Sequence, residues 1–110
     1  MNTNDVVMFG AIQDLCDSLQ ASLLKQFPDA DNKWFTIEMG RRYFSVWRSR
    51  GDTRNKGTVV LFVDRTNGDI LKPASWRGPA KGARGNILTG LKEAQAKCDW
   101  AGRWLYKIKI

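Results

Sequence analysis

The sequence predicts an α+β domain: one antiparallel sheet of about five strands with helices packed on one face, in the order α-β-β-β-β-α-β. Three observations lead there. The first 27 residues repeat apolar side chains at helical spacing. Segments rich in aromatic and β-branched residues follow between positions 33 and 72, divided by turn chemistry. The last eight residues alternate with a period of two.

The first helix opens at Thr3 or Asn4, either of which can cap it, with Asp5 in the first turn. Met8, Ile12, Leu15, Cys16, Leu19 and Leu23 form the stripe, and Phe27-Pro28 ends it. Its wet face is acidic, so it is expected to pack on the sheet surface away from any ligand. Two strands follow, 33–39 and 42–49, joined at Gly40-Arg41. In a two-residue hairpin Ile37 would pair with Phe44 and Phe35 with Val46 on the core face. Trp34 would then stand across from Trp47 on the opposite face, beside Tyr43. Residues 49–57 form a polar, basic loop. Thr58–Asp64 is almost continuously apolar and belongs at the centre of the sheet. Arg65-Thr66-Asn67-Gly68 is a turn, residues 69–72 a short strand, and 73–86 a glycine- and proline-rich loop. Asn86 can cap a second helix running through Ile87, Leu91, Ala94 and Cys98. Gly102 breaks it, and 103–110 reads as a final strand.

A chain of 110 residues with 43% hydrophobic composition closes one core, so 1–110 is one domain. No stretch is long and apolar enough for a membrane span, and no signal peptide is expected at the N-terminus. These features point to the cytoplasm. Two cysteines and no histidine argue against a disulfide framework and a zinc site, and Cys16 and Cys98 read as small core residues. Without histidine the catalytic signal is weak, and neither a cofactor nor a metal is expected.

Charge is segregated along the chain. Residues 1–32 hold five acids and one base, whereas 33–110 hold 17 bases and six acids, for a net charge of +7. Between Arg41 and Arg84 stand eleven bases, eight of them arginine. Guanidinium forks onto phosphate and stacks on bases, so this pattern points to a polyanion. Two constellations could carry binding. Trp34, Tyr43 and Trp47, with Arg42, Arg48, Arg50, Arg54 and Lys56 around them, could stack bases and hold phosphates. The alternative is a second hydrophobic layer. The loop with Lys72, Trp76, Arg77, Lys81 and Arg84 could cradle phosphate on glycine N–H groups beside a helix N-terminus. The alternative is a plain connector with Trp76 plugging the core edge. No Walker loop or dinucleotide fingerprint is present.

The run 43–87 contains Asn67-Gly68-Asp69, then Lys72-Pro73-Ala74-Ser75-Trp76, Pro79-Ala80-Lys81 and Arg84-Gly85-Asn86. In these motifs it resembles a family of small uncharacterised bacteriophage-encoded proteins. The resemblance implies action inside a bacterial cell and singles out Lys72, Ser75, Trp76, Lys81, Arg84 and Asn86, without assigning roles. In topology alone, four strands and a helix within 33–98 are similar to Whirly and Pur-type single-strand binders.

The expectation is a non-catalytic nucleic-acid-binding protein, for single-stranded DNA or RNA, acting as a homo-oligomer. A dimer through the edge of the last strand is favoured. One rival is an interaction protein that inhibits an acidic host protein. Another is a small metal-dependent nuclease using Asp52, Asp64 or Asp69. A structural phage component is a third.

Overall fold

In the computed structural model, the described residues are 2–29, 35–49 and 57–106. Helix α1 (Thr3–Gln26) precedes strands β1 (Phe35–Met39), β2 (Tyr43–Arg48), β3 (Thr58–Asp64), β4 (Asp69–Ser75) and β5 (Gly78–Asn86). Helix α2 (Leu91–Lys97) and a 3-10 turn, Arg103–Tyr106, follow. The strands form one antiparallel meander in the order β1-β2-β3-β4-β5. This is the α+β fold the sequence predicts, with five antiparallel strands and the described helices on one face.

The apolar stripe of α1 lies on the sheet as expected, with Met8, Ile12, Leu15, Cys16, Leu19 and Leu23 buried. The cap is Asn2, one residue before the expected pair: its Oδ1 accepts from Asp5 N at 2.8 Å. Phe35, Phe44, Val46, Val60, Leu61, Val63 and Ile70 meet this stripe from the sheet. Ala94 of α2 and Trp104 and Leu105 close the same core.

Strand β3 is central, as its apolar run predicts. Val46 pairs with Leu61 but Trp47 pairs with Val59, so Val60 is the extra residue of a bulge. The bulge turns both Val60 and Leu61 toward the helices. Val59 and Phe62 face the other way, where they cluster with Trp47 and Leu71 and meet Tyr43. Both faces of β3 are covered, so every residue from Val59 to Val63 is buried.

Three expectations are corrected. The β1–β2 register is offset by two residues: Ile37 pairs with Val46 and Thr36 with Trp47. Gly40 N donates to Tyr43 O at 2.8 Å, so Arg41-Arg42 is the turn instead of Gly40-Arg41. An even offset keeps every face assignment but removes the Trp34–Trp47 pairing.

The supposed loop at 73–86 is strand: β4 runs on to Ser75 and β5 pairs with it. An edge strand tolerates this composition, since Pro79 can turn its missing donor outward and Gly82, at φ 98, sits where the register shifts. The second helix accordingly starts later, at Leu91. The four-strand-then-helix succession shared with Whirly and Pur-type proteins is therefore not the order found here.

The expected C-terminal strand is a 3-10 turn over Arg103–Tyr106, while residues 107–110 lie outside the described set. Trp104 and Leu105 are both buried, which strict alternation forbids. Asp99 Oδ1 accepts from Arg103 N at 3.1 Å and Gly102 O from Leu105 N at 3.2 Å, curling the chain. The dimer expected through that strand loses its geometric basis over 103–106.

Candidate nucleic-acid interface

Strand β4 pairs with β3 only through Leu71 with Phe62 and Ile70 with Val63. Beyond Leu71 its described ladder is with β5 alone, in pairs that reach Ser75 and Gly78. Residues 72–82 thus leave the body of the sheet as a two-stranded ribbon rooted in 83–86, and none of residues 72–86 is buried. It carries Lys72, Arg77, Lys81 and Arg84, and no acid occurs from Ile70 to Lys92. Ser75 Oγ accepts from Arg77 N at 3.1 Å, tightening a two-residue tip. Trp76 stands at that tip with 65% of its surface exposed, and the Arg77 guanidinium lies 5.1 Å from its ring centre. Trp76 does not plug the core edge.

The ribbon is locked at its root by the motif residues Asn67, Gly68, Asp69 and Asn86. Asn67 Oδ1 accepts from Asp69 N at 2.9 Å. Asn86 Nδ2 donates to Asn67 O at 2.9 Å and to Asp69 Oδ1 at 3.1 Å. Its Oδ1 accepts from Leu88 N and Thr89 N at 2.8 and 3.0 Å. Gly68 adopts φ 84, and a Cβ there would meet Leu88 Cγ at 3.1 Å and Asn86 Oδ1 at 3.2 Å. Asn86 therefore caps a turn ahead of α2, and its position in the motif has a structural reason.

The glycine cradle expected beside a helix N-terminus does not form. Gly78 and Gly85 lie within the β5 ladder, and α2 is a seven-residue helix beginning at Leu91 without a side-chain cap.

The aromatic constellation on β1 and β2 is divided. Trp34, Arg50, Arg54 and Lys56 lie outside the described residues. Trp47 is only 8% exposed, in the second apolar layer with Val59, Phe62 and Leu71, and its Nε1 donates to Ser45 Oγ at 2.8 Å. It offers no ring for a base. Arg48 pairs with Phe35 and faces the helices, where its guanidinium lies 5.1 Å from the Trp100 ring centre and donates to Trp100 O at 3.2 Å. Tyr43 is half-buried, 6.0 Å edge-on from Phe62. Arg42 is exposed, lies 5.4 Å from the Tyr43 ring centre and approaches Asp64 at 3.7 Å.

Lys72 sits 4.8 Å from the Tyr106 ring centre at the start of the ribbon. The structure therefore brings Lys72, Trp76, Arg77, Lys81 and Arg84 onto one ribbon. Arg42 and Tyr43 remain at the other end of the strands, about 20 Å from the tip at ~3.3 Å per residue along β4.

Two of the three carboxylates offered for metal-assisted cleavage, Asp64 and Asp69, are in structural use. Asp64 Oδ1 accepts from Thr66 N at 2.8 Å and Thr66 Oγ1 at 2.6 Å. Burial pushes its pKa up, but the Thr66 bonds and Arg42 outweigh this and hold it below the ordinary carboxylate value. Asp69 accepts from Asn86, and Asp52 lies outside the described residues. Among the described residues no three potential ligands are grouped to hold a metal ion. Both cysteines are free, and burial, with Asp17 adding to it, pushes the Cys16 thiol up to about 12.

Sequence reasoning missed the Arg65–Asp5 clamp. Arg65 Nε and Nη2 donate to the two oxygens of Asp5 at 3.0 and 2.6 Å, while Nη1 donates to Gly40 O and Arg41 O at 2.7 and 2.9 Å. One guanidinium ties the start of α1 to the β1–β2 turn. The signal was available: Asp5 falls on the buried stripe of α1, where a carboxylate needs a cation. The Arg65 hydrogen bonds hold Asp5 below the usual carboxylate range, against the opposing effect of burial.

No helix among the described residues is long and apolar enough to cross a membrane. No curated protein and no solved structure gives a significant match to the chain. A family model does match, over residues 1–107, and the chain belongs to that family of unknown function, DUF7717.

Proposed function

We propose that the protein binds nucleic acid without catalysis, through the β4–β5 ribbon, and that it favours single strands. The observation that carries the reading is a ribbon free of acids and of buried residues, ending in an exposed indole backed by a guanidinium. Lys72, Arg77, Lys81 and Arg84 hold phosphates, and the face of Trp76 away from Arg77 stacks an unpaired base. Such stacking contributes about 1–3 kcal/mol per base and tolerates any sequence. Arg42 and Tyr43 form a second, outlying binding point. With the likeness to bacteriophage-encoded proteins, the reading has the protein act in the cytoplasm of a bacterial host.

Titration with oligo(dT), followed by tryptophan emission and by anisotropy of a labelled strand, tests it. Trp76→Ala should remove most of the quenching and weaken binding by roughly 1–3 kcal/mol. The paired change Lys81→Glu and Arg84→Glu should flatten the log–log salt dependence by about 0.7 for each phosphate no longer neutralised. Failure to bind any oligonucleotide at low salt overturns the proposal. Tighter binding to a duplex of equal length overturns the single-strand preference and leaves a ribbon in a groove.

A further inference from the structure

The two edges of the sheet are protected very differently. β5 carries Pro79, a register shift at Gly82 and the cations Lys81 and Arg84, all devices that discourage another strand from adding. β1, Phe-Thr-Ile-Glu-Met, has no proline and no lysine, and pairs with β2 in unbroken register. Beside it, between β1 and α1, runs a groove of about 520 Å³. Phe9, Cys16, Phe35 and Ile37 give it an apolar floor, and Asp14 and Asp17 put carboxylates along its helical wall. Neither carboxylate has an ion-pair partner among the described residues, and no described cation lines the groove.

We propose that this edge and groove take up an extended cationic polypeptide segment, which adds to β1 as a further strand. Edge-strand addition supplies affinity through main-chain hydrogen bonds, and pockets for alternate side chains supply specificity. Here apolar side chains on one face of the incoming strand meet the Phe35 and Ile37 side of β1. On that same helix-facing side, at other alternate positions, its lysines or arginines reach Asp14 and Asp17 on α1. In a protein of net charge +7 the charged residues described along this groove are both acidic, so its occupant has the opposite sign to the ribbon's. A polynucleotide is repelled from it. The inference does not depend on the ribbon's function.

The test uses the full chain and two labelled synthetic peptides of about ten residues, a usual strand length, one with Ile and Lys taking turns at every second position and Thr between them, the other with Glu in place of Lys. Anisotropy should show binding of the Lys peptide and none of the Glu peptide. Asp14→Lys with Asp17→Lys, both on the wet side of α1, should weaken the Lys peptide roughly tenfold or more. Circular dichroism should be unchanged, and oligo(dT) binding should not weaken. Hydrogen exchange should slow at Phe35–Met39 amides when the peptide is bound. Equal binding of both peptides, full binding by the double variant, or no protection along β1 overturns the proposal. Self-association of the chain that the double variant abolishes, in the absence of peptide binding, identifies a second copy as the occupant and overturns the peptide assignment.

Discussion

The body of the sheet and the ribbon that leaves it share a strand and little else. At Ile70 and Leu71, β4 is buried in both apolar layers; from Lys72 onward no ribbon residue is buried. In the body, Phe44, Val46, Leu61 and Val63 press against α1 on one side, while Trp47, Val59 and Phe62 cover the other. Hydrophobic burial holds that part. Among the described residues, the ribbon is held by its β4–β5 ladder, the tip bond from Arg77 N to Ser75 Oγ, the Lys72–Tyr106 contact and the asparagine lock at its root. Stability and recognition are thus divided along a single strand. What the body gains by burying aromatics it loses as a stacking surface, and the ribbon does the reverse.

The largest effect should come from cutting into the body. Phe44→Ala removes a fully buried ring and should cost about 3–5 kcal/mol by chemical denaturation. A loss under ~1 kcal/mol would mean that the core does not carry the fold. Next comes the Arg65 clamp. Arg65→Met leaves a buried carboxylate at Asp5 without its cation and should lower the melting temperature distinctly at neutral pH. Because the folded Asp5 pKa is depressed, its contribution is present above the unfolded value near 3.9 and is lost as pH falls through the folded value. The wild-type acid limb should therefore be steeper than that of the variant. Parallel limbs would remove Asp5 from the account.

At the junction of the two regions, Gly68→Ala puts a side chain at φ 84 and against Leu88 and Asn86. It should cost on the order of 1–2 kcal/mol, and hydrogen exchange should quicken at the ribbon's root before it does in β2 or β3. Uniform loosening would show that the lock serves the whole sheet. The smallest effect on stability belongs to Trp76→Ala at the tip. With 65% of the indole already in solvent, unfolding should shift by less than ~0.5 kcal/mol. Oligonucleotide binding should nevertheless fall. A Trp76 change that unfolds the protein would erase the distinction between the two regions.

Much of the body was readable because it obeys simple periods. Leu15, Leu19 and Leu23 recur at helical spacing, and the run from Thr58 to Asp64 is too apolar to lie anywhere but the centre. The ribbon was not readable. Its glycines and prolines satisfy turn rules as well as edge-strand rules, and only the pairing partner separates the two. The motif residues around it were visible, but Asn67, Gly68, Asp69 and Asn86 serve the lock, leaving Lys72, Trp76, Lys81 and Arg84 for the surface.

Local sequence was enough for the α+β class, the stripe of α1, the central position of β3 and the contrast between a net acidic first 32 residues and a basic remainder. These follow from periodicity and composition, which act within a few residues of one another. It took the folded chain to put Trp47 inside and Trp76 outside, and to turn Arg48 to Trp100 instead of to the open face. Those outcomes depend on the second apolar layer that covers Trp47, on the distant segment that brings Trp100 to Arg48, and on where β4 parts from β3. Long-range packing sets each of them, since what the rest of the chain lays over a sheet determines which side meets water.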